Sequence, residues 1–309
     1  MASVAGGSEY DIPITESEGA GNATIGQRFV RFFEDRKALD QPAEKLSSLV
    51  RELGPRLPGG QKTVDLLNGK GFGHPLHPVL THLPIGAFTM AMLFDMASTG
   101  RKEPSPAATK LLAIGLASVP LTALSGALDW QHTQGGKKRV GMGHLLLNSL
   151  GSSVLAASLV SRLRGRGPAR SLNYLGNGIL TLSAYLGGHL VFEGRLGTKY
   201  ESSEAAPEHF TAVMAETDLK EQTLTRVDAG GYPVLLYRRF GRVYALADTC
   251  PHLGCSLAEG SVEGDAVLCG CHGSKFALAD GALLQGPSAY PVRDFVARIH
   301  EGKIEVVAL

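Results

Sequence analysis

The sequence predicts a two-part chain, a bundle of four membrane-spanning helices followed by an antiparallel all-β domain. Three observations predict it. Residues 71–94, 111–128, 140–161 and 171–192 contain no Asp, Glu, Lys or Arg. From about residue 208 the pattern changes to short alternating runs separated by Gly, Asp and Pro turns. All four cysteines fall in one stretch, 249–276, together with two of the ten histidines.

Composition sets the outer limits. The formal net charge is +1, which implies no polyanionic partner, so nucleic acid is not expected. Charged residues make up 19%, low for a soluble chain. The 309 residues suffice for about two domains. No internal repeat stands out.

The elements follow in order. Residues 1–23 are small and acidic and read as a disordered tail. They hold no apolar core, so no cleavable signal peptide is expected, and no twin-arginine pair precedes an apolar run. Residues 24–70 read as amphipathic helices. Ile25, Phe29, Phe32, Phe33 and Leu39 favour one face of the first, and Leu46, Leu49, Val50 and Leu53 one face of the second. Pro42 opens that second helix and Gly54 stops it. Two readings stand: helices lying on a membrane surface, or helices packed on the chain's own core.

Residues 71–200 form the expected membrane domain. Each uncharged run is long enough, or nearly so, to cross a hydrocarbon layer of about 30 Å. Their Gly, Ala and Ser content suits close helix packing in lipid. The spans are expected near 79–98, 108–129, 142–162 and 172–192. Asp95 and Asp129 read as interfacial caps, and Trp130 as an interface anchor. Pro84 and Pro120 are expected to kink or start helices.

Alternating helix direction places His74, His77, His82, His132, His144 and His189 towards one membrane face, the face from which the β domain emerges. Intramembrane ionisable groups are costly and often functional. His82, His144 and His189 are therefore candidates to bind haem b or a quinone. His74, His77 and His132, in Pro- or Gly-rich segments, read as solvated.

Residues 193–207 form a polar linker, and 208–309 the β domain. Strands are expected within 209–215, 223–229, 232–240, 242–248, 261–269, 274–280, 290–300 and 303–309. Gly230-Gly231, Asp280-Gly281 and Glu301-Gly302 mark hairpins.

The cysteine-bearing stretch reads TCPHLGCSLAEGSVEGDAVLCGCHGSKF. Cys250-Pro-His252 is a C-x-H pair, and Cys269-Gly-Cys271-His272 holds a C-x-x-H pair. Sixteen residues separate His252 from Cys269. Thiolate with imidazole suits borderline-soft metals. Two such ligands of each kind fit a zinc site or a [2Fe–2S] centre with two histidines on one iron. A zinc finger would hold its histidines on a helix, whereas glycine-rich loops carry them here.

This stretch resembles a Rieske iron–sulfur domain of the disulfide-containing subgroup found in cytochrome bc and b6f complexes. The resemblance implies an antiparallel β-sandwich holding a [2Fe–2S] cluster, with Cys250 and Cys269 on one iron and His252 and His272 on the other. It also implies a Cys255–Cys271 disulfide and a hydrogen bond from Ser274 to a bridging sulfide. The segment at Gly286-Pro287 would cover the cluster. One departure is Phe276, where respiratory members usually carry tyrosine. A lost hydrogen bond to a ligand sulfur lowers the reduction potential. The expected potential lies in the upper half of a window of about −150 to +300 mV, but below the tyrosine-bearing members.

The helical part has a likeness of its own. HPLHPVLTHLPIG (74–86), LSGALDW (124–130) and LGGHLVFEG (186–194) resemble a bacterial family of four-helix membrane domains of unknown function. That likeness implies a topology but little chemistry.

The expected function is one-electron transfer between a membrane carrier, quinol or haem, and a partner protein. The alternatives are a cluster-based redox sensor, a ferredoxin-like component of an oxygenase or reductase system, or a purely structural cluster. Only 37 residues follow His272, and the β domain needs them, so a terminal oxygenase with a mononuclear iron is not expected. The chain is expected in a bacterial cell membrane as a multi-pass protein. Loop charges at Arg101, Lys102, Lys110, Arg162, Arg164, Arg166 and Arg170 outnumber Lys137, Lys138 and Arg139. The positive-inside rule then puts the β domain outside, although Lys62, Lys70, Arg195 and Lys199 even the balance.

Overall fold

The computed structural model describes residues 24–165 and 167–309. The expected tail, 1–23, lies outside the described residues. The helices are α1 (Ile25–Glu34), α2 (Asp40–Leu53), α3 (Gln61–Leu67), α4 (His77–Ala97), α5 (Pro106–Trp130), α6 (Gly135–Leu163) and α7 (Ala169–Phe192).

α1 starts at a capping box: the Thr24 hydroxyl accepts from the Gln27 amide, and the Gln27 side chain accepts from the Thr24 amide. Its inner face lays Phe29, Val30 and Phe33 against Val140, Leu186 and Leu190 of α6 and α7. α3 sets Val64 and Leu67 against Leu128 of α5. Glu44 and Asp40 of α2 pair with Lys138 and Arg139 at the start of α6. The amino-terminal helices thus form a collar packed on the chain's own bundle. That collar explains why α6 begins at Gly135, ahead of the expected 142. Carboxylates pair with two of the three basic residues, Lys138 and Arg139, so the helix continues through them.

α4, α5 and α6 are long and apolar enough to cross a membrane. α7 has 24 residues but carries Arg170, Asn173 and Asn177 in its first half, and it is not among the spans. Three helices, not the expected four, meet the requirement among the described residues. The bundle buries polar side chains beside Phe88, Leu112 and Leu155 and exposes large apolar ones. Ser125, Ser158, Asn173 and Ser183 are fully buried, while Leu83, Ile85, Leu93, Ile114, Leu121, Leu150, Leu175 and Leu182 are exposed. Water-soluble bundles show the opposite arrangement. The α6–α7 crossing rests on glycine. A Cβ on Gly151 would stand 3.2 Å from the Gly176 carbonyl oxygen, and one on Gly176 3.2 Å from that of Gly151.

Two expected interfacial residues are buried instead. The Asp95 side chain is 0% exposed and that of its partner Arg162 2%. Arg162 Nη1 donates to Asp95 Oδ1 at 3.1 Å, Nη2 donates to Oδ2, and Asn173 Nδ2 donates to Oδ2 at 2.7 Å. Asp95 therefore clamps α4 to α6 and α7 rather than capping a helix in water. Trp130 is buried too, because the short α5–α6 turn folds it back. Its Nε1 donates to the Lys138 carbonyl at 3.1 Å, and its ring occupies the space that a Cβ on Gly141 would fill.

The carboxy-terminal part is all β. Six strands run in the order β1-β10-β9-β4-β3-β2, and four more in the order β5-β6-β7-β8. These are β1 (Thr211–Ala215), β2 (Leu224–Ala229), β3 (Tyr232–Arg239), β4 (Arg242–Ala247), β5 (Ser261–Glu263), β6 (Ala266–Leu268), β7 (Lys275–Ala277), β8 (Leu283–Gln285), β9 (Asp294–His300) and β10 (Lys303–Ala308). Every ladder pair is antiparallel. The β9–β10 hairpin turns through Glu301 and Gly302, at φ 51° and 71°, the positive values a tight hairpin turn demands. Tyr232, Leu235, Leu246, Leu257, Val267, Phe276 and Ile304 form the core. This core anchors both cysteine-bearing loops, one between β4 and β5 and one between β6 and β7.

Candidate metal centre

Each cysteine loop is shaped by its own backbone bonds. In the first, the Cys250 amide donates to the Cys255 carbonyl at 2.8 Å, and the Gly254 amide to the Cys250 carbonyl at 2.9 Å. The buried Asp248 carboxylate holds the far side, accepting from Ser256 Oγ at 2.7 Å and the Ala258 amide at 2.8 Å. In the second, the Cys269 amide donates to the Ser274 carbonyl at 2.9 Å, and the Gly273 amide to the Cys269 carbonyl at 3.1 Å. The Cys255–Cys271 disulfide clasps the two loops.

The two loops carry four candidate metal ligands, Cys250, His252, Cys269 and His272. Cys250 and Cys269 are free and buried. Their thiols share a hydrogen bond, which pulls Cys269 down to about 6 and pushes Cys250 up, with burial adding to the rise. The His252 and His272 rings stand 5.0 Å apart, centroid to centroid. Burial, then neighbouring histidines, pushes His252 down to about 3. Burial, then the Arg51 charge, lowers His272. Both shifts favour the neutral imidazole, the form that ligates metals. Buried His252 Nδ1 has no hydrogen-bond partner, an orphaned atom that a metal would satisfy. The Cys255, Cys269 and Cys271 sulfurs also lie within 4.8 Å of one another, but two of them are spent on the disulfide. The usable donor set is two thiolates and two imidazoles, and it fits a [2Fe–2S] centre with mixed ligands.

Ser274 is fully buried. Its hydroxyl accepts from the Ser288 amide at 3.0 Å, which leaves its proton free to donate towards Cys250, whose thiolate it favours. The bond also ties the Gly286–Tyr290 segment over the site. That segment is fixed from outside as well. Asp65 Oδ1 accepts from the Gly286 amide at 3.1 Å, Lys70 donates to the Leu284 carbonyl, and Tyr290 Oη donates to the Gly197 carbonyl at 3.0 Å.

The histidine face of the site therefore meets the helical part. His132, from the α5–α6 turn, stands 5.3 Å from the His252 ring and 4.8 Å from the His272 ring. Burial, then His272 and the Arg51 and Lys138 charges, push His132 down to about 3. Sequence reasoning read His132 as solvated. The available signal was its place on the same membrane face as the β domain. Beside this contact lies a cavity of about 20 Å³ lined by Asn68, Asp129, His252 and Tyr290, room for about one water molecule.

The expected haem or quinone histidines each have local partners. His82 is exposed and bonds back to the Pro78 carbonyl of its own helix at 2.8 Å. His144 Nδ1 contacts the Ser183 carbonyl at 2.8 Å, and its Nε2 the Asn148 amide at 3.0 Å. His189 stands 3.4 Å from Glu193.

Comparison with known proteins follows the same division. Residues 209–296 match the family profile described as Rieske [2Fe-2S] domain, and residues 73–203 the one described as predicted membrane protein (DUF2231). The chain is 35% identical to ferredoxin CarAc of Metapseudomonas resinovorans over 30% of its own length and 89% of that protein. It is 34% identical to the cytochrome b6-f complex iron-sulfur subunit of Chlorobaculum tepidum over 24% of its length and 39% of the other. A solved complex of reduced oxygenase and oxidized ferredoxin in carbazole 1,9a-dioxygenase aligns at 33% identity and a TM-score of 0.30, covering 32% of this chain and 94% of that one.

Proposed function

This chain belongs to the Rieske [2Fe-2S] family, and on that premise we propose that it is a membrane-anchored one-electron carrier whose histidine face works against its own helical domain. It is an iron–sulfur electron-transfer protein with a DUF2231 membrane domain. The proposed ligands are Cys250 and Cys269 on one iron and His252 and His272 on the other. Ser274 supplies the hydrogen bond that favours the electron-rich state. When bound, the cluster supplies a one-electron couple whose potential the histidines raise.

The chain's own residues do the rest. The disulfide and the Ser274–Ser288 bond fix the loops. Leu257, Phe276 and the β core shut out water from the cysteine side. The helical part covers the histidine side. The apolar outer belt of the bundle favours four passes through lipid, with α7 shielded by its neighbours along its asparagine face. The balance of loop arginines and lysines favours an external β domain.

The observation that carries this reading is the contact of the ligand histidines with the membrane domain. It favours a membrane carrier as one electron partner. The likeness to ferredoxin components favours a partner protein as the other.

A redox titration of the full-length chain in membrane vesicles tests the proposal. The expected midpoint is positive, in the upper half of the range of about −150 to +300 mV, with the chain retained in the membrane after alkaline washing. A midpoint under about −100 mV, or release by the wash, counts against it.

A further inference from the structure

We propose that His132 is a positioning residue of the iron–sulfur centre: a third imidazole, supplied by the helical domain, that fixes the planes of the two ligand rings and joins the centre to that domain. The inference rests on the reading of the site given above. Three geometric observations carry it.

The first is the contact itself. The His132 ring meets His252 edge to face at an interplanar angle of 87°, and His272 at 56°. The three rings form a triangle with sides of 5.3, 4.8 and 5.0 Å. Edge-to-face packing has a preferred geometry, so the His252 ring is held against rotation about its bond to the loop, and the His272 ring is in tilted contact with the same imidazole.

The second is rigidity. The turn carrying His132 is locked on both sides. Arg51 Nη1 donates to the Gln131 carbonyl at 3.0 Å, Gln131 Nε2 to the Leu128 carbonyl at 2.9 Å, and Thr133 Oγ1 to the Trp130 carbonyl at 2.8 Å. Gln131 and Thr133 are each 4% exposed. A turn built only to reverse the chain does not require two buried polar side chains beside an imidazole.

The third is the state of the His132 side chain. Among the described residues no hydrogen bond engages its ring nitrogens, whereas the Thr133 hydroxyl beside it donates to the Trp130 carbonyl. The ring packs on the two ligand imidazoles and feels the Arg51 and Lys138 charges. Groups just outside a metal's own ligands orient them and tune the metal. A polar ring here favours the electron-rich state, because it stabilises added negative charge at the centre.

The test uses purified full-length chain in phospholipid nanodiscs, comparing wild type with His132→Leu and His132→Phe. Leucine fills space without a flat edge, and phenylalanine keeps the ring but not the nitrogens. The readouts are iron per chain, the midpoint potential, and the nitrogen hyperfine couplings of the ligand imidazoles from pulsed electron resonance. Iron is expected to stay at the wild-type level in both variants. The couplings change in His132→Leu and stay near wild type in His132→Phe. The midpoint falls in both by about 60 mV, a tenfold change in a one-electron equilibrium. Loss of iron from His132→Leu but not from His132→Phe also supports the inference, because the ring contact then holds the loops. Wild-type couplings and midpoint in both variants overturn it. So does loss of iron from both, which makes His132 a ligand or a folding residue. Wild-type protein without iron sinks the functional reading, whereas iron-loaded variants with unmoved spectra sink only this inference.

Discussion

Replacing His252 by alanine, or Cys250 by serine, is expected to abolish the visible absorbance of the purified chain and bring its iron to background. The expectation follows from the tightness of the site. Cys250 is 1% exposed and Cys269 2%, so no outside group can take a missing ligand's place. Among the described residues His252 Nδ1 has no hydrogen-bond partner, so it is the atom expected to ligate. Metal binding and folding are coupled in such sites, so thermal stability of the β domain falls with the iron. Asp280→Asn, on an exposed turn outside both loops, serves as the control and keeps full iron. The measurement is iron per chain with absorbance on the same sample. Full loading of the His252→Ala variant would remove that histidine from the site.

The second large effect lies in the bundle. Asp95→Leu is expected to destabilise the chain in detergent by about 3–5 kcal/mol, the cost of leaving a buried charge without its partner. Arg162 would then face lipid-depth packing with no carboxylate, and Asn173 would lose its acceptor. Arg162→Leu is expected to cost about as much. The double variant Asp95→Leu, Arg162→Leu is expected to recover most of the loss, because replacing both members of a buried pair by apolar groups is often neutral. Thermal unfolding of the three variants in one detergent, fitted as a double-mutant cycle, decides this. Additive losses would mean that the two residues act separately.

The candidate site was legible in the sequence because its ligands are local. Cys250 with His252, and Cys269 with His272, lie within three residues of each other, so spacing alone nominated them. The disulfide between the remaining cysteines followed from family likeness, and the structure has it. The β domain was legible through alternation and through turn residues such as Glu301-Gly302. Other features depend on contacts between distant segments. Asp95 and Arg162 lie 67 residues apart in the chain, and each alone reads as the end of a helix. Asp65 reaches Gly286 across 221 residues. His132 is the clearest case: a single histidine in a Gly-rich turn reads as solvated until the fold brings two other imidazoles to it. α7 shows a different limit. Its freedom from charge over 171–192 suggested a span, yet Asn173 and Asn177 within it keep it off the set of three helices that are apolar enough by composition alone.

The central claim is that four side chains hold a two-iron cluster rather than zinc. Metal analysis of the purified full-length chain, paired with an electron-resonance spectrum after reduction, tests it most directly. The account predicts iron and sulfide at the stoichiometry of one [2Fe-2S] cluster, with an average g-value below that of the free electron. Stoichiometric zinc with no iron, and a silent spectrum after reduction, would contradict it.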